Sequence, residues 1–127
     1  MARTHGSGLI APQETVPVVT VDSLIEQRVL RIPDLVKLDV QGFELEALKG
    51  ATQLFGRTEV FIMETSLFRF LGVEPIFHEV VQFMADRGYL TYDFPGFLRR
   101  PRDGALGQCD VCFVRENSPL RESSEWA

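Results

Sequence analysis

Three carboxylates are placed by residue type and spacing to share one site: Asp39, Glu44 and Glu64. Asp39 sits at the end of the apolar run Leu35 to Val40, Glu64 ends the run TEVFIME, and Glu44 opens a helical stretch just after Gly42. In open α/β sheets, ligands lie outside the carboxyl ends of the strands, near the N-termini of the following helices. Asp39, Gln41, Gly42 and Glu44 therefore fall where such a fold keeps its site. An acidic cluster of this kind can take a proton from a hydroxyl or amine nucleophile as general base. It can also hold Mg²⁺ through a few carboxylates and waters, or bind the hydroxyls of a sugar or ribose. If the strands ending in Asp39 and Glu64 are neighbours, their tips lie about 5 Å apart. Carboxylates that close repel, and at least one should have a raised pKa unless a cation lies between them. Lys37, on the same strand face as Asp39, and Arg69 are the candidates for that cation. The structural alternative is a buried Lys37–Asp39 pair with the remaining acids acting as caps.

The elements that must position these groups follow from hydrophobic periodicity. A helix is expected from Phe43 to about Phe55, because Glu44, Leu48, Ala51 and Phe55 recur at helical spacing, with Glu46, Lys49 and Gln53 opposite. Glu44 thus sits on the sheet-facing stripe. First-turn acids complement a helix dipole by a few tenths to about 1 kcal/mol, which does not explain an acid on the buried side. Charges that face a core normally have a partner there.

Upstream, Met1 to Thr15 reads as a loose leader in which Gly6-Ser7-Gly8 is a weak phosphate-loop signal without a preceding strand. VPVVTV, Val16 to Val21, reads as an edge or entry strand containing Pro17. Asp22 and Ser23 are N-cap candidates for a short helix from about Leu24 to Leu30. Downstream, Val60 to Met63 reads as a strand covered on both faces. Ser66 to Val73 is an apolar loop that can serve as a lid, a substrate wall or a core-packed connector. A helix is bounded by Pro75 and Gly88, with His78 facing water. Tyr89 to Phe94 is a strand, Pro95 to Gln108 a loop of about fourteen residues, and Cys109 to Glu116 the last strand. Asn117 to Ala127 is a polar tail expected to be disordered. The fold class is α/β, with right-handed helical crossovers, a mostly parallel sheet and an antiparallel last strand.

Composition narrows the function classes. The 127 residues, with 45% hydrophobic and 24% charged content, suit one soluble domain. A net charge of −5 argues against general nucleic-acid affinity. Arg99, Arg100 and Arg102 form a local basic cluster, read as a solvated loop. No stretch approaches the roughly 18 apolar residues of a membrane span and the start lacks a signal-peptide core, so no membrane partner and a cytoplasmic location are expected. Cys109 and Cys112 have CxxC spacing, but on a strand they point to opposite faces and cannot share one metal. No metal site is expected. A metal-dependent hydrolase using the same acids lacks the His or extra Asp ligands it needs.

The run VKLDVQGFELEALKGA resembles the signature of the FkbM-type methyltransferases. Flanking VTVDSL, VFIMET, RGY and CDVCFV agree, so that the likeness runs from about Val16 to Arg115. Many members carry Glu where this chain has Gln41, a neutral amide better suited to positioning. The resemblance implies the C-terminal portion of a Rossmann-like class I methyltransferase domain over residues 16–116. It implies S-adenosyl-L-methionine as cofactor and methyl transfer to an oxygen, less often a nitrogen, of a small molecule or sugar. Asp39, Gln41 and Gly42 would then contact the cofactor, Asp39 would face the methyl-donor site, and Glu44 and Glu64 would shape the acceptor side. The first strand's glycine-rich turn and the acid ending the second strand, which cradle the cofactor in this class, have no counterpart before Leu35. A truncated enzyme is one expectation. A non-catalytic α/β remnant or interaction module, self-associating through the open edge of the Leu35 to Val40 strand, is the other.

Overall fold

In the computed structural model of the protein, residues 14–127 are described. The Gly6-Ser7-Gly8 motif and nearly all of the leader lie outside them. Four strands form one sheet: β1 (Leu35–Leu38), β2 (Val60–Ser66), β3 (Tyr89–Arg99) and β4 (Leu106–Arg115), in the spatial order β1-β2-β4-β3. Helices α1 (Val21–Glu26), α2 (Glu44–Lys49) and α3 (Phe77–Asp86) complete the α/β architecture, with 3₁₀ turns at Thr52–Leu54 and Pro119–Arg121.

β1 and β2 pair in parallel, whereas β4 inserts between β2 and β3 and is antiparallel to both. An antiparallel final strand is thus present, but the sheet is mixed rather than mostly parallel by pairing. Tyr89 to Phe94 continues without a break to Arg99, so the expected long loop is a hairpin instead. Pro95 and Gly96 read as strand breakers, yet β3 is an edge strand, where proline is tolerated, and register shifts between Thr91 and Gly96 absorb the irregularity.

Alternation sets the core. Phe61, Met63 and Thr65 of β2 and Cys109, Val111 and Phe113 of β4 are buried on one face. They meet Leu48, Ala51 and Leu54 below the α2 segment, Val80 and Met84 of α3, and Tyr89. The other face carries Ile62, Glu64, Asp110 and Cys112, all only partly buried. The expectation that Val60 to Met63 is covered on both faces is therefore corrected: burial alternates along β2.

The stretch read as a single helix is broken. α2 ends at Lys49, and the 3₁₀ turn follows after Ala51. Gly50 is the cause, because α1 docks there: a Cβ on Gly50 would lie 3.1–3.2 Å from the Thr20 side chain, and the Asp22 N–H donates to the Gly50 carbonyl. The buried stripe of Glu44, Leu48, Ala51 and Leu54 nevertheless runs through both pieces.

VPVVTV forms no strand. Residues 16–20 lack regular structure, and Thr20 caps α1 by accepting from the Ser23 N–H at 3.0 Å. Asp22, read as a cap of its own helix, instead reaches across the chain. It accepts from Thr52 N, Thr52 Oγ1 and Gln53 N at 2.7–2.9 Å and caps the 3₁₀ turn. The tail begins with order as well: Ser118 is buried and its hydroxyl accepts from the Leu120 N–H. No helix among the described residues is long and apolar enough to cross a membrane.

Candidate functional site at the β1 and β2 strand ends

Register brings the predicted acids together. The last parallel pair is Leu38–Met63, so the next step sets Asp39 beside Glu64. Glu64 lies two residues inside the end of β2 rather than at its tip, directly opposite Asp110 of β4. On the far side of Asp110 stands Gly96, where a Cβ would come within 3.0 Å of Asp110 Oδ2. A glycine at that position therefore leaves room for the carboxylate. Burial pushes the Glu64 carboxyl above its ordinary value, and the neighbouring charges of Asp39, Asp110 and Glu44 push it further, with Lys37 acting in the opposite sense.

Glu44 is turned inward, with 4% of its surface exposed. Its Oε1 accepts from the Val40 N–H at 3.2 Å, so it holds the turn that leaves β1. Asp39 is exposed, and its Oδ1 accepts from Gln41 Nε2 at 3.1 Å. Gln41 has φ +53° and Gly42 φ +93°, so the turn carries two successive left-handed residues. For Gln41 that conformation is strained, a feature that clusters at functional turns. A Cβ on Gly42 would also lie 3.0 Å from the Glu74 Cβ, so the 67–76 loop packs directly onto this glycine.

Neither expected cation sits among the acids as a partner. Among the described residues Lys37 makes no ion pair, so the Lys37–Asp39 pair is not formed. Arg69 turns away to Glu79 at 2.7 Å and to the Glu74 carbonyl at 2.8 Å. That pairing draws the Glu79 carboxyl down to about 2, with the Ile76 N–H adding to the effect. His78 is exposed. Cys109 and Cys112 are free thiols on opposite faces of β4, and no group of three His, Cys, Asp or Glu among the described residues is placed to hold a metal ion.

A cavity of about 400 Å³ opens beside this cluster. Gln41, Gly42, Glu44 and Glu64 form one side, Phe70, Leu71 and Glu74 of the apolar loop a second, and Leu98, Arg99 and Arg100 of the β3–β4 hairpin a third. Its size is that of a small-molecule site. The apolar loop is thus a cavity wall, and Arg99 and Arg100 of the arginine cluster form part of its rim, while Arg102 is exposed outside the lining. Arg100 pairs with Asp103 at 2.8 Å and stacks 4.1 Å over Phe68.

Sequence reasoning missed Asp110 and Glu74. Asp110 could have been found by alternation, since Gln108, Asp110 and Cys112 share a face in a strand whose other face is apolar. Glu74 is a lone acid in an apolar loop before Pro75, and only tertiary packing marks it.

The sequence model of one protein family, described as the methyltransferase FkbM domain, matches residues 3–91. No curated protein and no solved structure matches the chain.

Proposed function

The chain belongs to the family of the methyltransferase FkbM domain, and we propose that it serves methyl transfer from S-adenosyl-L-methionine to an oxygen of a small-molecule or sugar acceptor in the cytoplasm. The observation that carries this reading is the presence of Glu44 and Glu64 in the lining of a cavity of small-molecule size, with Asp39 one register step past the last β1–β2 pair and so beside Glu64.

For the cofactor, the described residues offer one wall that fits. The exposed Asp39 carboxylate, oriented by Gln41, can accept hydrogen bonds from amino or hydroxyl groups of the cofactor. The consecutive left-handed residues Gln41 and Gly42 bring backbone close to a bound group. The bound cofactor would supply the electrophilic methyl group.

Glu64 is the residue suited to hold the acceptor's proton. A general base works best when its pKa lies near the working pH, and burial among like charges moves Glu64 in that direction. Glu44 fixes the turn between β1 and α2 and so fixes the distance between the cofactor wall and the base. Phe70 and Leu71 give the acceptor side an apolar wall. Orientation of this kind is the main contribution an enzyme makes to an in-line transfer.

Isothermal titration with S-adenosyl-L-methionine tests the reading. Saturable heat, weakened at least 10-fold by Asp39→Asn, is expected. A folded sample that gives no heat at millimolar cofactor would remove the enzyme reading for this chain.

A further inference from the structure

The two edges of the sheet are built differently. β3 carries Pro95 and register shifts between Thr91 and Gly96, the kind of irregularity that keeps an edge from pairing with another chain. β1 pairs with β2 in unbroken register, and no strand among the described residues lies on its other side. The Glu59 and Val60 amides both donate to the Asp34 carbonyl, so Asp34 directs its backbone groups toward β2. Alternation turns those of Val36 and Leu38 the same way and those of Leu35 and Lys37 outward, with Asp39 next in the outward phase.

The side chains on this edge carry opposite charges. Lys37 and Asp39 are exposed and two residues apart, hence on one face of the sheet. Among the described residues neither takes part in an ion pair. Val36 and Leu38 alternate with them onto the other face, at the margin of the core. Leu35 and Val40 remain exposed.

A second copy of this chain matches that edge. Two edge strands related by a twofold axis run antiparallel and pair the same segment with itself. Hydrogen bonds close only where outward-facing residues are opposed. An axis through Lys37 sets two lysines against each other, and an axis through Asp39 sets two aspartates together. An axis through Val36 leaves both charges unmatched and brings Pro33, which has no N–H, opposite Asp39. An axis through Leu38 sets Lys37 of each copy against Asp39 of the other. It also joins Leu38 to Leu38 and Val36 to Val40 along the core side.

We propose that two copies of this chain associate through β1 in the antiparallel register centred on Leu38, joining their four-stranded sheets into one. The inference stands apart from the methyl-transfer reading. Asp39 Oδ1 accepts from Gln41, and the remaining acceptor sites of the carboxylate can serve Lys37 of the second copy.

Sedimentation equilibrium of the full chain, without S-adenosyl-L-methionine, is the test. A strand pair this short is a small interface, so the mass should rise from 14.4 kDa toward twice that value between about 5 µM and about 500 µM. Lys37→Asp and Asp39→Lys each oppose like charges at both symmetric positions and should weaken dimerisation by about 10-fold or more. An equimolar mixture of the two variants restores both matches and should associate within about 3-fold of the unmodified chain. In the unmodified chain, amide hydrogen exchange at Lys37 and Asp39 should slow by about 10-fold or more at the higher concentration. A monomer at the highest concentration, a dimer that either variant leaves intact, or a mixture that associates no better than its components would overturn the proposal. If Asp39→Lys fails to fold, the exchange measurement decides: equal rates at Lys37 and Asp39 at both concentrations would overturn it.

Discussion

Removing the Glu44 side chain separates its two consequences: anchoring the β1–α2 turn and charging the cluster. The Val40 N–H donates to Glu44 Oε1 at 3.2 Å, a charge-assisted bond at a partly buried site. Hydrogen bonds to charged groups contribute about 1.5–3 kcal/mol, and the length and partial water access here favour the lower end. Glu44→Ala also deletes buried methylene contacts beside Leu48, and relief of repulsion on Glu64 works against both losses. The net expectation is a loss of about 2 kcal/mol for Glu44→Ala, which for a domain of this size is roughly 8 °C in Tm. Glu44→Gln keeps a neutral acceptor and should lose only about 0.5–1 kcal/mol. Urea unfolding followed by far-UV circular dichroism is the suitable assay, because the single tryptophan, Trp126, is fully exposed in the tail and reports little. Carboxyl-carbon NMR titration supplies the second readout: in Glu44→Gln the Glu64 pKa should move down toward its ordinary value. A loss below about 0.5 kcal/mol for Glu44→Ala, together with an unmoved Glu64 titration, would refute both the anchor and the shared cluster.

Further outcomes follow from the same geometry. Because the folded pKa of Glu64 is raised above its ordinary 4.5, its contribution to stability is fully present below that pH and is lost as pH rises through the folded value. Urea midpoints of Glu64→Gln should therefore decline less from pH 4.5 to 7 than those of the unmodified chain. Glu79 behaves oppositely: drawn to about 2 by Arg69, it contributes above 4.5, and that contribution is lost as pH falls toward 2. Glu79→Gln should show a shallower acid loss in the same assay, and high salt should shrink the difference. Gly42→Ala forces a side chain into φ +93° with its Cβ 3.0 Å from that of Glu74, and should destabilise by about 1–3 kcal/mol in thermal or urea unfolding.

The acid cluster was legible because each of its members follows from a simple rule. Strand alternation places Lys37 and Asp39 on one face, helical spacing turns Glu44 inward, and parallel pairing aligns Asp39 with Glu64. The hairpin was not legible, because Pro95 and Gly96 signal a break unless the edge position of β3 is already known. The α1 region misled for a related reason: β-branched residues suit a strand only where a neighbouring strand exists to pair with, and Val16 to Val19 have none among the described residues. Gly50 reads as an ordinary helix end, but its tight contact with Thr20 depends on a segment thirty residues away. Alternation along β4 gives the face of Asp110, but its place opposite Glu64 comes from the insertion of β4 beside β2, and Glu74 enters through loop packing; neither tertiary event has a local signature.

The central claim is that Gln41 and Gly42, in the turn that follows Asp39, form one wall of a cofactor site that opens on the crevice holding Glu64. Amide chemical-shift mapping with S-adenosyl-L-homocysteine tests it most directly. Saturable shifts are expected, concentrated at Asp39, Val40, Gln41 and Gly42 and extending to Glu64 and Ser66, and lost in Asp39→Asn. Shifts confined to another surface, or none at millimolar ligand in a folded sample, would contradict it.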